Sequence, residues 1–333
     1  MKHAVSRSQN GSALGALLAL CIALAEAYLR KRGRKRTARI VWGGLALALA
    51  SAACAQVEVR DDRGTPQLFA APPQRVVSLL PSLTESVCTL GACARLVGVD
   101  RFSNWPPQVT RLPKLGGLDD AQIERIVALK PDVVLASRSA RVVARLEALG
   151  QRVIVIQAET HADVKRMLQT LGELLGAPVQ AQEAWSRIEA DLRRAAEQVP
   201  SAVRGQRVYF EVAAAPYAAS AGSFIGQTLS QLGMANVVPA ELGGYPRLNP
   251  EFVVRSQPDI VIAARRDMQG MRLRPGWQKL HALQSERVCA FDVAPYDMLV
   301  RPGPRLGEGA LVLAECLARL GAAAPPSREG APK

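Results

Sequence analysis

Two stretches of the chain repeat one another: Gln122-IERIVALKPDVVLA-Ser137 and Asn249-PEFVVRSQPDIVIA-Ala264, with Glu124 recurring as Glu251, Pro131-Asp132 as Pro258-Asp259 and Ala136 as Ala263. The offset of 127 positions far exceeds the ~20 to 50 residues of solenoid repeats, so the duplication predicts two similar lobes. Each copy reads as a short helix stopped by Pro, a Pro-Asp turn, and a strand (VVLA, IVIA) apolar enough to be covered on both faces. Each lobe therefore carries a glutamate early in an equivalent helix.

The chain has 333 residues, 49% of them hydrophobic, which fits two domains with real cores. Its formal charge is +13, but residues 1–55 hold nine Lys/Arg against Glu26 alone, which concentrates the excess at the N-terminus. With 5% aromatic residues and no basic stripe interleaved with stacking rings, nucleic acid is excluded as a partner. The basic block reads as an export signal: Arg30 to Arg39 as the charged region, Ile40 to Ala50 as the apolar region, and Ala53-Cys54-Ala55 as the small-residue cleavage site. The product is expected in the periplasm, either cleaved and soluble or held to the membrane through Cys54 or an uncleaved N-terminal segment. Residues 11–29 are apolar but short and interrupted by Glu26, so they form either an extra membrane segment or an upstream extension.

From Arg75 onward strands and helices alternate with short links, the pattern of a mostly parallel sheet covered on both faces. Arg75–Leu80 reads as a strand, followed by a turn in which Ser82 and Glu85 form a capping box. Further strands are expected at Leu96–Val99, Val133–Ala136 and Val153–Ile156, with a helix capped by Thr160 running to about Leu175. Pro178–Gln198 has no internal Pro or Gly and consists largely of strong helix formers. As a helix its 21 residues span about 31 Å, a strut rather than a flexible hinge. The fold class is therefore α/β: two similar lobes with mostly parallel sheets covered by helices, joined by one long rigid helix. The expected boundaries are 75–177 and 203–321 for the lobes, 178–199 for the connection, and 322–333 for a disordered tail. Beyond the strut, Val208–Glu211 and Val288–Phe291 read as strands, Tyr296–Pro304 as a loop and Arg305–Leu320 as the terminal helix. Cys88, Cys93, Cys289 and Cys316 allow three disulfide pairings in an oxidising compartment, a local Cys88–Cys93 bridge among them, or none.

The motifs RVVSLLPSLTE (75–85), LVGVDRFSNWPP (96–107), IERIVALKPDVV (123–134) and RPGPRL (301–306) resemble, in order, those of the substrate-binding proteins of ABC importers for cobalamin and iron chelates, most of all the cobalamin-binding members. The resemblance runs from about Arg75 to Leu320. It implies a monomer that captures cobalamin or a related corrinoid as cargo, without a cofactor, and delivers it to an inner-membrane ABC permease with its ATPase. It also implies that Glu124 and Glu251 dock into permease arginines, and that Phe102 and Tyr245 flank a flat macrocycle. Leu118 and Ser137 stand where cobalamin binders carry tryptophans. A ferric siderophore or haem is the alternative cargo.

Ligands of open α/β lobes sit beyond the carboxyl ends of the strands. That rule adds Pro81, Ser82, Tyr217, Asp297 and Arg301 to the candidates, the last two either fixing polar edges of the ligand or pairing with each other. Arg138 is a candidate partner for an anionic chelate. No G-x-S-x-G, GxxxxGK[ST], H-E-x-x-H or GxGxxG after the first strand is present, and no metal site is spaced in the sequence. The competing class is a hydrolase using Glu124 and Glu251 as acid and base, which needs the two carboxylates within ~5 to 10 Å.

Overall fold

The computed structural model describes residues 57–214 and 216–322; the expected export signal, the 11–29 segment, Cys54 and residues 323–333 lie outside the described residues. Ala322, placed in the tail from sequence, closes the last helix.

The first lobe is built on four parallel strands in the order β4-β3-β5-β6: β3 (Val76–Ser78), β4 (Leu96–Val99), β5 (Val133–Ala136) and β6 (Val153–Val155). The second lobe repeats this arrangement as β9-β7-β10-β11, with β7 (Arg207–Ala213), β9 (Ala235–Asn236), β10 (Ile260–Ala264) and β11 (Val288–Phe291). A short β8 (Tyr217–Ala218) adds antiparallel to β7. The duplication seen in sequence thus extends to strand order.

Helices α1 (Pro81–Thr89), α2 (Ile123–Ala128), α3 (Val143–Ala148) and α4 (His161–Leu175) belong to the first lobe. The connecting α5 (Pro178–Gln198) has the bounds expected from sequence. The second lobe carries α6 (Phe224–Gln231), α7 (Pro250–Ser256), α8 (Arg265–Arg272), α9 (His281–Gln284), α10 (Val293–Val300) and α11 (Leu306–Ala322).

The repeated Pro-Asp turn has a mechanical purpose. Asp132 accepts hydrogen bonds from the backbone of Gln74 and Arg75 (2.7 and 2.8 Å), and Asp259 from that of Arg207 (2.7 Å), so each copy ties down the start of its lobe's central strand. The preceding Lys130 and Gln257 share a left-handed conformation (φ 47° and 40°).

Alternation along the strands divides the core. Val133 and Leu135 of β5, and Ile260 and Ile262 of β10, face one large cluster common to both lobes. Val134 and Ala136 face an outer cluster on the first lobe, and Val261 and Ala263 one on the second. The shared cluster also takes the buried stripe of α5: Ala181, Ala184, Trp185, Ile188, Leu192 and Ala195. α5 packs between α4 and α11. A Cβ on Gly172 would lie 2.7 Å from Ala181 Cβ, and one on Gly307 would lie 2.6 Å from Asp191 Cβ. Only glycine admits helices that close.

Disulfides join Cys88 to Cys93 and Cys289 to Cys316, the latter tying β11 to α11.

Three further sequence expectations need correction. A hairpin of β1 (Val57–Arg60) and β2 (Pro66–Phe69) precedes the expected start of the first lobe. Ser82 and Glu85 form no capping box, because Pro81 opens α1, Leu80 stands at its N-cap without a side-chain bond, and Glu85 turns inward. Residues 296–300, expected in a loop, complete α10.

Candidate functional site

Segments that follow strands β3, β4 and β6 of the first lobe meet the second lobe along a seam: Ser82 lies against Gly303, Phe102 against Arg301, and Glu159 against Phe224. On the first-lobe side, the Phe102 loop is held by Asp100. Its Oδ1 accepts from the backbone of Phe102 (2.7 Å) and Ser103 (3.1 Å), and its Oδ2 from the Ser103 hydroxyl. The Ser103 hydroxyl also bonds Thr84 (2.8 Å), which in turn bonds Ser78 (2.9 Å), and Lys114 reaches the Ser103 carbonyl (2.6 Å). Burial pushes the Asp100 carboxyl up. This polar anchor fixes the backbone while Phe102 stays 58% exposed, its ring 5.3 Å from the Arg101 guanidinium.

Phe102, Asp297 and Arg301 meet at one end of the seam. Arg301 donates to Glu85 (2.8 Å), Asn104 Oδ1 (2.8 Å), the Phe102 carbonyl (3.2 Å) and Asp297 (2.7 Å), while Asn104 donates to Asp297 (3.0 Å). Of the two readings left open by the sequence, the Asp297–Arg301 pair is the one observed here. Arg305 grips Glu85 through two bonds (2.9 and 2.8 Å) and lies 4.5 Å over the Trp105 ring. Glu85 is 1% exposed, so this ion network across the lobes is largely dry. Sequence reasoning missed Glu85 and Arg305; the only signal was an acid in α1 and a second arginine after Arg301.

Pro81 and Ser82 stand at the first turn of α1, with Ser82 buried. Ser82, Ser137, Ser139, Gln157 and Pro302 help to line a cavity of ≈ 180 Å³ between the lobes. Ser137 is therefore beside Ser82, its hydroxyl 2.9 Å from that of Ser139. Leu118, by contrast, packs partly buried against the outer cluster of the first lobe. Tyr217 is 41% exposed on β8. Tyr296 belongs to the core, not to the seam, since its hydroxyl donates to the Glu211 and Val212 carbonyls (2.7 and 2.8 Å).

The other end of the seam joins the start of α4 to α6. The Phe224 amide donates to the Glu159 carbonyl (2.6 Å) and His161 Nε2 lies 3.0 Å from the Phe224 carbonyl and 2.9 Å from Thr228 Oγ1. Burial holds the His161 imidazole below its usual range, hence neutral at pH 7. Tyr245 packs edge-on against Phe224, at 6.3 Å between ring centres. Burial and the nearby Glu159 charge push the Tyr245 phenol well up. Its hydroxyl and Gln157 Oε1 are buried atoms without hydrogen-bond partners. Each such atom costs about 1–3 kcal/mol. Gln157 and Glu159 also line a second cavity of ≈ 460 Å³, with Asp62, Arg138, Asp163 and Arg166. Arg138 spends one N–H on the Asp62 carbonyl (2.6 Å).

Glu124 and Glu251 are both exposed in the first turns of α2 and α7, with Asn249 capping the second helix. Neither carboxylate forms an ion pair among the described residues. Ile126 of α2 belongs to the outer cluster of the first lobe and Val253 of α7 to that of the second, with the shared core between the two sheets. The two acids therefore stand on separate lobes, on outer helices backed by different clusters.

A family model described as periplasmic binding protein matches residues 76–294. An uncharacterized ABC transporter substrate-binding lipoprotein of Bacillus subtilis is 29% identical over 256 residues, covering 74% of this chain and 80% of that protein. A vitamin B12-binding protein of Vibrio cholerae is 27% identical over 248 residues, covering 72% of this chain and 88% of its own. The crystal structure of a periplasmic heme binding protein from Pseudomonas aeruginosa superposes with a TM-score of 0.65 at 27% identity, covering 76% of this chain and 94% of that one. Two duplicated α/β lobes over one core, a polar seam at the strand ends and a family match spanning both lobes agree: the chain belongs to the periplasmic binding protein family.

Proposed function

We propose that this chain is the exported capture component of an ABC importer, taking a corrinoid such as cobalamin into the seam between its lobes and delivering it to the membrane permease. The observation that carries the cargo reading is Phe102. Its backbone is clamped by Asp100 and by Arg301 of the opposite lobe, yet the residue is left 58% exposed at the seam. A flat macrocycle offers such a ring an apolar face, and the residual aromatic exposure is covered on binding. The kinship with a vitamin B12-binding protein supports the same reading. Pro81, Ser82, Ser137, Tyr217 and Tyr245 complete the wall in this reading, whereas Leu118, expected at the ligand, packs against the outer cluster of the first lobe. Glu124 and Glu251 are the docking carboxylates, each held at a helix start and without an ion pair among the described residues, ready for charge-assisted bonds to arginines of the permease.

Cargo is settled by calorimetric titration of the purified chain with cyanocobalamin, with haemin and a ferric siderophore as controls. One-to-one binding of cyanocobalamin is expected. No heat with cyanocobalamin and saturation by haemin would reassign the cargo, in line with the heme-binding relative.

A further inference from the structure

The Glu159 end of the seam is made where two helices start: His161 is the first residue of α4 and Phe224 the first of α6. The Phe224 amide donates to the Glu159 carbonyl (2.6 Å) and the His161 amide to Gln227 Oε1 (2.8 Å). His161 Nε2 lies 3.0 Å from the Phe224 carbonyl and 2.9 Å from Thr228 Oγ1. These contacts fix the tautomer. A carbonyl oxygen can only accept, and Thr228 gives its own proton to that same carbonyl (2.8 Å), so His161 Nε2 carries a hydrogen and donates to both oxygens. The neutral ring then has Nδ1 as its one open position for a proton.

A proton at Nδ1 creates a cation in an unfavourable place. The starts of α4 and α6 both carry partial positive charge, which disfavours a cation in the first turn. α6 has no charged side chain to offset it. The charged groups on and beside α4 are engaged elsewhere: Asp163 accepts from the Glu159 and Thr160 amides and pairs with Arg166, Arg166 also pairs with Asp62, and Lys165 lies 5.6 Å over the Trp185 ring of α5. The Glu159 carboxylate accepts from Gln157 (2.9 Å), and Tyr245, packed on Phe224, keeps its phenol proton. Burial weighs against the cation as well, opposed by the Phe224 carbonyl.

We propose that His161 is an acid-operated latch on the seam: while neutral it holds α4 to α6, and when it takes up a proton at Nδ1 this end parts and bound cargo leaves faster. The cargo half of this proposal rests on the capture reading above; the latch itself stands on the contacts between the lobes. The sign follows from linkage. The parted state has an ordinary imidazole and takes up the proton first, so the closed state loses population as pH falls through about 6.5, by up to about tenfold per pH unit.

Hydrogen exchange at the Phe224 amide reads the latch directly, because its acceptor is the Glu159 carbonyl across the seam. Corrected for the intrinsic rate, its protection is expected to fall from pH 7.5 to 5.5, by up to about tenfold for each unit below about 6.5. It should also stay below the protection of the Leu79 amide, which donates to the Leu135 carbonyl (2.9 Å) within the first lobe. His161→Gln keeps a donor at the Nε2 position but cannot titrate, and should hold Phe224 protection constant over the same range. Cyanocobalamin should dissociate faster from wild type at pH 5.5 than at pH 7.5, and at one rate from His161→Gln. Constant Phe224 protection in wild type, equal protection of Phe224 and Leu79, the same fall in His161→Gln, or pH-independent dissociation of bound cyanocobalamin would each overturn the latch. Failure of cyanocobalamin to bind at all would remove the corrinoid reading alone, since Phe224 exchange is measured on the free chain.

Discussion

Glu85→Ala should be the most damaging single change at the seam, and its cost follows from what it leaves behind. The Glu85 carboxylate accepts one bond from Arg301 and two from Arg305, at 2.8 to 2.9 Å. Arg301 would keep Asp297, Asn104 and the Phe102 carbonyl. Arg305, its side chain 8% exposed, would keep the Trp105 ring face and the more distant Glu308 charge but no ion pair or side-chain hydrogen bond among the described residues. Breaking a buried pair in this way costs about 3–5 kcal/mol, a large share of the roughly 5–15 kcal/mol that holds a domain folded. The assay is equilibrium unfolding in guanidinium chloride. With a slope of about 5 kcal/mol per molar for a chain of this size, the midpoint should fall by about 0.6–1 M. The double variant Glu85→Met with Arg305→Leu removes both charges and should recover most of the loss. A midpoint shift below about 0.2 M in Glu85→Ala, or a double variant no better than the single, would refute the reasoning.

Glu124→Ala with Glu251→Ala should leave cargo affinity unchanged and abolish cargo-stimulated ATP hydrolysis by the reconstituted importer; loss of cargo binding in the pair would refute the division of roles. Because burial lowers the His161 pKa in the folded chain, the unfolded chain takes up the proton first as pH falls. Stability should then drop below about pH 6.5, by up to about 1.4 kcal/mol per pH unit. Thermal midpoints measured from pH 7.5 to 5.5 should fall more steeply for wild type than for His161→Asn, and parallel curves would exclude this source. Removing the Cys289–Cys316 bridge, which spans 27 residues, should cost about 3.5 kcal/mol by loop entropy, against about 2 kcal/mol for the 5-residue Cys88–Cys93 bridge. Paired Cys→Ala variants under denaturant measure both, and the reverse order would contradict the entropic account.

What the sequence disclosed was local or periodic. The bounds of α5 were readable because Pro178 stands at the first turn, nothing breaks the run, and Pro200 follows it. The repeat was readable because Asp132 and Asp259 do the same work on equivalent strands. Glu85 was misread because S-x-x-E is a local capping signal, whereas its actual partners, Arg301 and Arg305, lie more than 200 positions away. α10 was hidden by Pro295, which sits in its first turn and so breaks nothing. The β1–β2 hairpin escaped because each strand has four residues and buries only one, too little for an alternating pattern. The orphan atoms of Gln157 and Tyr245 had no sequence signal, since being unpaired is a property of the neighbours.

The two lobes share one apolar cluster, and this bears on how docking and capture relate. α5 is pressed between α4 and α11 at glycine-to-side-chain distances that leave no slack, and the seam is pinned at both ends, by Glu85 with Arg301 and Arg305 and by Glu159 and His161 with α6. Opening the seam widely would expose the shared cluster, at roughly 25 cal/mol for each Å² of apolar surface uncovered. The Glu85 network is dry and costly to break, so only the more exposed polar contacts at the Glu159 rim can part cheaply. The outer helices that carry Glu124 and Glu251 are fixed to the sheets by separate clusters and do not belong to that rim. In the docking reading, then, the spacing of the two carboxylates is a constant of the fold, and a permease that responds to cargo must sense the seam rather than the distance between its two anchors.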